Sequence, residues 1–351
     1  MKRIIILIFF MLLFKGAVYS QTDLFDLQNY KDRRIAERLY NKAVEAISKA
    51  DYYGALYFLD SVTLLQPNFS AAYIERGKIY YSKERKSDAL NEFQQVLYFE
   101  PMNGEAMFYK YYVMFTQDTA SVSSSDFDRA IQNKYTQAHA YYYRGLLMLM
   151  EKSYNDAVAD FTLAIEKKGD YAKAFHDRGS AKRMLGDYQG AIYDYRLAIT
   201  YDPKLIMAYI NMGSTKKKLG DYQGAEQDYT VAINIDSSNY IPYNNRGGAR
   251  YILGDFAGAE ADYNKAYELN PDAYEVICNM GNVIASQGDY QAALEWYNQS
   301  LMLNPDYNLS YLNRGLTFEM LGMIDEACND WQIAADLGSE VAKNYLNECK
   351  K

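Results

Sequence analysis

The tetrapeptide Leu-Gly-Asp-Tyr stands at residues 185–188 and again at residues 219–222, and related turns follow at residues 253–256 and 288–290. The glycines of successive copies lie 34 residues apart. An internal period of this length is the signature of a protein built from repeated supersecondary units. The period extends in both directions without a gap, so it predicts one array of repeats. The nine repeats are residues 36–69, 70–103, 104–137, 138–171, 172–205, 206–239, 240–273, 274–307 and 308–341.

Each repeat is predicted to hold two helices. Counted from the first residue of a repeat, position 8 is glycine in seven repeats and position 20 is alanine in eight. Glycine inside a helix costs about 1 kcal/mol, so its recurrence needs a packing reason. We expect it to let the first helix approach alanine 20 of the second helix closely. Glycine at position 15 and proline at position 32 are predicted to follow the ends of the two helices.

This pattern of glycine, alanine, tyrosine and proline positions resembles the tetratricopeptide repeat over residues 36–341. The resemblance implies an all-α fold, a right-handed α-solenoid of about nine stacked helix–turn–helix repeats whose first helices line a concave face. Residues 21–35 are interpreted as an N-terminal lead-in. Residues 342–351 are predicted to form a C-terminal capping helix, because the open end of a solenoid needs cover. Many of the 37 tyrosines recur at fixed repeat positions and are predicted to be core.

Residues 1–20 have the layout of a secretory signal peptide. Lys2 and Arg3 precede an apolar run at residues 4–14, which is shorter than the ~20 residues that a membrane span needs. Cleavage before Gln21 is predicted, and an uncleaved membrane anchor is the alternative. We therefore expect an exported protein, periplasmic or secreted, with no lipid-attachment cysteine at the cut and no stable membrane insertion after signal removal.

Three cysteines, Cys278, Cys328 and Cys349, all lie in the last quarter of the chain. So few cysteines in a chain of this length do not make a disulfide scaffold. Buried free thiols are the prediction, and a bridge between Cys328 and Cys349 is the alternative.

Charged residues at positions 7 and 23 change together between repeats. In five repeats position 7 is arginine and position 23 is acidic, whereas repeat 8 loses both charges. This correlation predicts an ion pair between the two helices of most repeats, with a structural role in setting their register. The predicted pairs are Arg76–Glu92, Arg144–Asp160, Arg178–Asp194, Arg246–Asp262 and Arg314–Asp330. The remaining repeats have Lys42 and Phe58, Lys110 and Asp126, Met212 and Asp228, and Met280 and Trp296.

Asparagines form a row on the inward face that the resemblance implies. An amide both donates and accepts hydrogen bonds, so such a row can pair with the backbone of an extended peptide. The alternative is that asparagine is merely common at this repeat position. The row comprises Asn211, Asn245, Asn279 and Asn313 at position 6, with Asn244 and Asn282 beside them.

The third repeat departs from the pattern. Tyr111 replaces the glycine of position 8, and the Ser-rich stretch at residues 119–125 is a poor start for a helix. We expect a shortened or mobile second helix there, and an exposed hydrophobic patch that marks an interaction site. The alternative is a decayed repeat whose aromatic side chains repack. The patch residues are Tyr81, Phe108, Tyr112, Phe115, Tyr142, Leu146 and Leu149.

A basic patch of four residues stands out in a chain of net charge −8, in which acids outnumber bases. Such a cluster could accept an acidic segment, and a solvated lysine run is the alternative. Its members are His176, Arg183, Lys217 and Lys218.

The sequence contains no recognisable catalytic motif. With two histidines and no phosphate-loop, metalloprotease or serine-hydrolase motif, neither a catalytic site nor a metal or cofactor is predicted. The acidic balance also disfavours nucleic acid as a partner. The expected function is a non-catalytic scaffold that binds a peptide or protein segment on its concave face. A structural subunit of an envelope or secretion assembly, and an accessory module of an uptake or enzyme system, are the alternatives.

Overall fold

The computed structural model describes residues 21–349, and this part of the chain forms 19 α-helices and no strand. The predicted signal peptide at residues 1–20 lies outside the described residues. The helices are α1 (Gln21–Ser48), α2 (Tyr52–Leu65), α3 (Ser70–Ser82), α4 (Lys86–Phe99), α5 (Gly104–Gln117), α6 (Ser124–Gln132), α7 (Ala138–Met150), α8 (Tyr154–Lys167), α9 (Ala172–Met184), α10 (Tyr188–Tyr201), α11 (Ile206–Lys218), α12 (Tyr222–Ile235), α13 (Tyr240–Leu253), α14 (Phe256–Leu269), α15 (Tyr274–Ser286), α16 (Tyr290–Leu303), α17 (Asn308–Met320), α18 (Ile324–Asp336) and α19 (Glu340–Cys349).

Helices α1 to α18 make nine successive pairs, and each pair from α3 onward falls inside one 34-residue repeat. The predicted lead-in, residues 21–35, is the N-terminal part of the long helix α1. The chain divides into two compact units, Met1–Leu147 and Met148–Lys351. Within each of them, the helices of a pair pack on each other and on the next pair, which is the arrangement of an α-solenoid.

The Leu-Gly-Asp-Tyr turn works through local chemistry. Gly186 adopts a left-handed conformation with φ of 83°, which ends α9. The carboxylate of Asp187 then accepts a hydrogen bond from the backbone N–H of Gly190 at 2.9 Å and so caps the start of α10. The same cap recurs at Asp221 and Asp255. The turn is therefore a corner between helices, and its aspartate already binds an amide at the start of the second helix.

The glycine at position 8 faces an aromatic ring in addition to the predicted alanine 20. A Cβ atom added at Gly247 would lie 2.8 Å from the ring of Tyr263, and one added at Gly281 would lie 2.6 Å from the ring of Tyr297. These tyrosines stand at position 24 and are buried. Alanine 20 still contributes, because its small side chain lets the second helix come close. The backbone carbonyl of Ala191, for example, would lie 3.1 Å from a Cβ at Gly179.

Two adjacent glycines in α13 should respond oppositely to alanine. We expect Gly247→Ala to destabilise the protein by about 1–3 kcal/mol, because its methyl group overlaps a buried ring that cannot move freely. Gly248→Ala should instead stabilise it by about 1 kcal/mol through helix propensity, since its Cβ would meet no atom closer than 3.6 Å. Urea denaturation of both variants measures the two effects. Equal changes of the same sign would show that the ring contact does not matter.

The second helix of repeat 3 is shortened, as predicted from its Ser-rich start. Helix α6 has nine residues, whereas its counterpart α8 has 14. Residues Thr119–Ser121 form a separate 3₁₀-helix before it. Ser123 and Asp126 then make a reciprocal capping box that starts α6. The loss of one turn therefore has a local cause, the cap-forming side chains that compete with helix in this stretch.

The C-terminal end is covered by a helix, α19, that is linked covalently to the last repeat. Cys328 on α18 and Cys349 on α19 form a disulfide, with Cα atoms 5.9 Å apart. The prediction of free thiols was therefore wrong for these two residues, because residues 337–339 turn α19 back onto α18. Cys278 is a buried free thiol. No helix within residues 21–349 has the length and apolarity to cross a membrane.

Candidate functional site

The inner face of the C-terminal unit is formed by its first helices. Successive first helices α9, α11, α13, α15 and α17 contact one another directly, and no contact of comparable extent joins successive second helices in this part of the described chain. The first helices therefore lie on the inner side of this stack. The predicted amide row and basic patch lie on these helices.

The arginine at position 7 bridges two repeats. Arg178 makes a two-fold hydrogen bond to Asp194, with Nε–Oδ2 of 2.9 Å and Nη2–Oδ1 of 2.7 Å. Its third nitrogen, Nη1, reaches back to Thr162 of the preceding repeat at 3.1 Å. Arg246 does the same with Asp262 and Thr230. The arginine thus ties the second helices of neighbouring repeats together.

The structure brings together four of the five predicted ion pairs. Besides these two, Arg76 lies 2.8 Å from Glu92, and Arg314 binds Asp330 through two hydrogen bonds. Arg144 pairs with Asp128 at 2.6 Å, and its predicted pairing with Asp160 stays a prediction. Sequence reasoning missed the contact to the preceding repeat, although the polar residue at position 25 was a readable signal.

Repeats without arginine at position 7 make other contacts at positions 7 and 23. In repeat 6 the ammonium of Lys216, one turn after Met212, lies 2.7 Å from Asp228. In repeat 1 Lys42 lies over the ring of Phe58, with 5.7 Å between Nζ and the ring centroid. Repeat 8 is apolar, with Met280 and Trp296 in one cluster.

In repeat 3, Asp126 pairs with Arg129 at 2.9 Å instead of with Lys110. The carboxylate is held there by its role in the cap of α6. Its position is therefore set by the shortened helix and not by the interhelical pair.

Three amides of the predicted row also join neighbouring repeats. The side-chain Nδ2 of Asn211 lies 2.9 Å from Nε2 of His176, and that of Asn279 donates to Oδ1 of Asn244 at 2.9 Å. Asn313 makes the equivalent, longer contact of 3.7 Å to the thiol of Cys278. In each case position 6 reaches position 5 of the preceding repeat. The amide nitrogen of each therefore already makes one contact to the preceding repeat. The oxygen of Asn279 also accepts from Nδ2 of Asn282 at 3.5 Å.

Asn245 is the exception in the row. Position 5 of its preceding repeat is the buried apolar residue Ile210, which offers no acceptor. Within residues 21–349 the side chain of Asn245 makes no hydrogen bond to another group. Both its donor and its acceptor are available to a ligand.

A groove of about 410 Å³ opens at the C-terminal end of the amide row. Its walls are tyrosine rings and its polar groups are amides and hydroxyls from three consecutive repeats. Asn282 is fixed in it by the hydroxyl of Tyr297, which donates to its Oδ1 at 2.9 Å. The lining comprises Tyr251, Asn282, Ala285, Ser286, Tyr290, Tyr297, Asn313, Leu316, Thr317 and Met320.

The predicted hydrophobic patch of repeat 3 is largely core. Phe108 and Tyr142 are only 3% and 7% exposed, so the expected open patch was wrong for these residues. Tyr135, in the connection that follows the short α6, stacks on Phe108 with 4.6 Å between ring centroids. The aromatic side chains have repacked around the shortened helix, as the alternative interpretation stated.

The remaining patch residues are half-buried. The hydroxyls of Tyr81 and Tyr112 lie 3.2 Å apart, and Phe115 packs edge-on against Tyr143 with ring centroids 5.4 Å apart. Leu146 belongs to the N-terminal unit and Leu149 to the C-terminal unit.

The four residues of the basic patch have different environments. His176 is engaged by Asp177 at 2.8 Å and by Asn211. Lys218 is exposed. Lys217 is half-buried, and burial lowers the pKa of its ammonium. Nε of Arg183 is buried without a hydrogen-bond partner among the described residues. His176 is therefore held by its neighbours and Lys218 is solvated. Lys217 and Arg183, in contrast, are partly buried and lack acidic partners within residues 21–349.

Three family models match three segments of the chain. Residues 208–239 and 241–273 match models described as "Tetratricopeptide repeat", and residues 281–322 match a model described as "TPR repeat". No curated protein matches the chain.

Several solved structures are similar in fold. The crystal structure of the APC/C hetero-tetramer Cut9-Hcn1 matches with 16% identity and a TM-score of 0.58, covering 85% of this chain and 58% of that one. A tetratricopeptide repeat protein from Parabacteroides merdae matches with 16% identity and a TM-score of 0.52, covering 79% and 97%. The pilF protein of Pseudomonas aeruginosa matches with 19% identity and a TM-score of 0.52, covering 60% and 97%. At these identities the likeness concerns the fold alone.

Proposed function

The chain is a tetratricopeptide repeat protein, and we propose that it binds an extended segment of a partner protein on the inner face of its C-terminal unit. Repeat scaffolds of this family are generally protein-interaction modules. The observation that carries the proposal is the groove between Tyr251 and Met320, because it combines apolar walls with side-chain amides whose oxygens can each accept a further hydrogen bond. That combination is typical of sites that orient a ligand through a few polar groups.

The chemistry of the groove suits a peptide backbone. Tyrosine rings supply contact area at a low cost in side-chain entropy, and Asn282 and Asn313 offer oxygens that can accept backbone N–H groups. The available amide of Asn245 extends the same row by one repeat. An extended segment can therefore alternate backbone hydrogen bonds with side chains placed in the groove.

Panning a random peptide library displayed on phage against the whole chain tests this proposal. Peptides that bind the groove should lose roughly tenfold or more in affinity when Tyr251 is replaced by alanine or Met320 by aspartate. Met320 is 63% exposed, so its replacement should leave the fold intact.

The control is Tyr193→Ala on the second helix α10, where the side chain is 60% exposed. It should bind the enriched peptides as tightly as the unaltered chain. Melting curves verify that all three variants fold. If no peptide is enriched, or if the groove variants bind like the control, the proposed function is wrong.

We also propose that the protein is exported. The signal-like layout of Lys2, Arg3 and residues 4–14 supports this, and so does the disulfide between Cys328 and Cys349, because such bonds persist mainly in oxidising compartments. N-terminal sequencing of the protein from its native cell is the test. A chain that starts at Gln21 is expected, and an intact Met1 on a cytosolic protein would contradict export.

A second candidate function, a subunit of a larger assembly, rests on apolar side chains of the second helices in the N-terminal unit. Tyr53 and Leu64 of α2 are 88% and 83% exposed, and Tyr98 of α4 is 84% exposed. Leu64 and Tyr98 occupy the same repeat position, so they lie on the same side of neighbouring second helices. Exposed apolar side chains on one side of a protein can mark an interface. Cross-linking of Tyr98→Cys in the native envelope should capture a neighbouring protein if this side of the helices is an interface.

A further inference from the structure

The hydroxyl of the buried tyrosine at position 24 points to the inner face, where position 9 of the same repeat meets it. The hydroxyls of Ser180 and Tyr195 lie 3.3 Å apart, and those of Ser214 and Tyr229 lie 3.1 Å apart. Repeat 8 uses an amide for the same purpose, between Asn282 and Tyr297 at 2.9 Å. Burial raises the pKa of Tyr229 to about 12, so such a hydroxyl stays protonated and can donate a hydrogen bond.

Repeat 7 breaks this rule because position 9 is Gly248. The missing side chain leaves a niche between two polar groups of neighbouring repeats. A Cβ at Gly248 would lie 3.6 Å from the hydroxyl of Tyr263 and 3.6 Å from the ammonium of Lys217. Within residues 21–349 the hydroxyl of Tyr263 has no hydrogen-bond partner. A small polar group that enters the niche can therefore reach both donors.

Lys217 is unusual among the cations of these repeats. Lys216 pairs with Asp228, and Arg250 pairs with Asp262 and Glu226, all within 3.0 Å. No carboxylate in the described part of the chain lies within ion-pair distance of Lys217, although it is half-buried and acids outnumber bases in the protein. A desolvated charge without a counter-charge is costly, and a ligand can remove that cost.

We infer that the niche at Gly248 binds the carboxylate of an aspartate or glutamate in the partner segment. The ammonium of Lys217 donates to one oxygen, and the hydroxyl of Tyr263 donates to the other or to the same one. Arg183 stands at the position of Lys217 in the preceding repeat and adds positive charge upstream. The niche holds one ammonium and one hydroxyl, which matches a single carboxylate.

The niche lies close to Tyr251 of the proposed peptide groove, and the inference rests on that proposed function. Gly248 and Tyr251 are three residues apart on α13, so they lie on the same side of the helix about 5–6 Å from each other. The available amide of Asn245 lies one turn before Gly248 on the same side. A segment that runs along Asn245 and Tyr251 must therefore pass the niche.

The test uses peptides enriched from the random phage library, each synthesised with its acidic residues and again with Asn or Gln in their place. We expect the enriched peptides to share an acidic position, and the amide version to bind roughly 10- to 100-fold more weakly. Lys217→Met should weaken binding of the acidic peptide by a similar factor and leave binding of the amide version unchanged.

Two further variants separate the niche from general charge effects. Gly248→Ser introduces the serine that repeats 5 and 6 have at this position, so its side chain should fill the niche. Binding of the acidic peptide should then be at least tenfold weaker, without loss of stability of the protein. Lys204→Met removes the same charge from an exposed turn and should have little effect.

The outcomes distinguish the two proposals. If the enriched peptides share no acidic residue, or if Lys217→Met and Lys204→Met lose the same affinity for the acidic peptide, the proposed carboxylate site is wrong. The proposed peptide groove is not affected by either result. An unchanged affinity in Gly248→Ser also overturns the carboxylate site. A library that yields no binder overturns the proposed function and the niche with it.

Discussion

Arg314→Met is expected to lower the free energy of unfolding by about 3–5 kcal/mol, because it leaves a buried carboxylate without a counter-charge. The side chain of Asp330 is only 2% exposed, and Arg314 is the one cation within ion-pair distance of it in the described part of the chain. A carboxylate in that position cannot be hydrated without opening the repeat.

The same replacement should cost less in repeats 5 and 7, which are matched controls. After Arg178→Met, Lys182 still lies 2.8 Å from Asp194. After Arg246→Met, Arg250 still lies 3.0 Å from Asp262. We expect losses of about 1–3 kcal/mol in both, the value of hydrogen bonds to a charged group. Urea denaturation followed by circular dichroism measures all three variants, and equal losses would contradict the role of the second cation.

Removing both charges together should be far milder. Repeat 8 already works with Met280 and Trp296 at these positions, packed in one cluster. We therefore expect Arg314→Met combined with Asp330→Leu to recover most of the stability that Arg314→Met loses, because no uncompensated charge remains. A double variant as unstable as the single one would mean that the arginine acts mainly through other contacts.

The disulfide is expected to stabilise the docked state of the capping helix by about 3 kcal/mol, the value for a cross-link that closes a loop of this length. Its two cysteines are 21 residues apart in the sequence. Helix α19 has ten residues, too few to be stable in water without tertiary contacts. Trp331 stacks on Tyr345 across the same junction, with ring centroids 4.9 Å apart. The bridge should therefore set how often α19 detaches.

Hydrogen exchange of the α19 amides measures that detachment. In the double variant Cys328→Ser, Cys349→Ser, exchange should be roughly a hundredfold faster than in the oxidised chain. Cys278→Ser is the control, because this buried thiol lies on α15 and forms no bridge. Unchanged exchange in the double variant would show that ring packing alone secures the helix.

The repeat period, the helix pairs and the turns could be read from the sequence because they depend on contacts within a few residues. Gly186 ends a helix through its left-handed backbone conformation. Asp187 caps the next helix by accepting a hydrogen bond from Gly190, three residues further along the chain. The correlated arginine and acid at positions 7 and 23 were also readable, since repetition supplied an internal comparison. These features determine an all-α array whatever its partner.

Only the tertiary structure decided which inner-face groups are already in use. Asn211 and His176 are 35 residues apart, and whether an amide at position 6 meets an acceptor depends on the side chain of the preceding repeat. Phe108 is covered by Tyr135 from an irregular connection that no period predicts. The niche at Gly248 exists because Lys217 reaches it from repeat 6, while repeat 7 has a glycine, without a side chain, at this position. Such contacts depend on side-chain reach and helix spacing in three dimensions, and neither quantity is encoded in the 34-residue pattern.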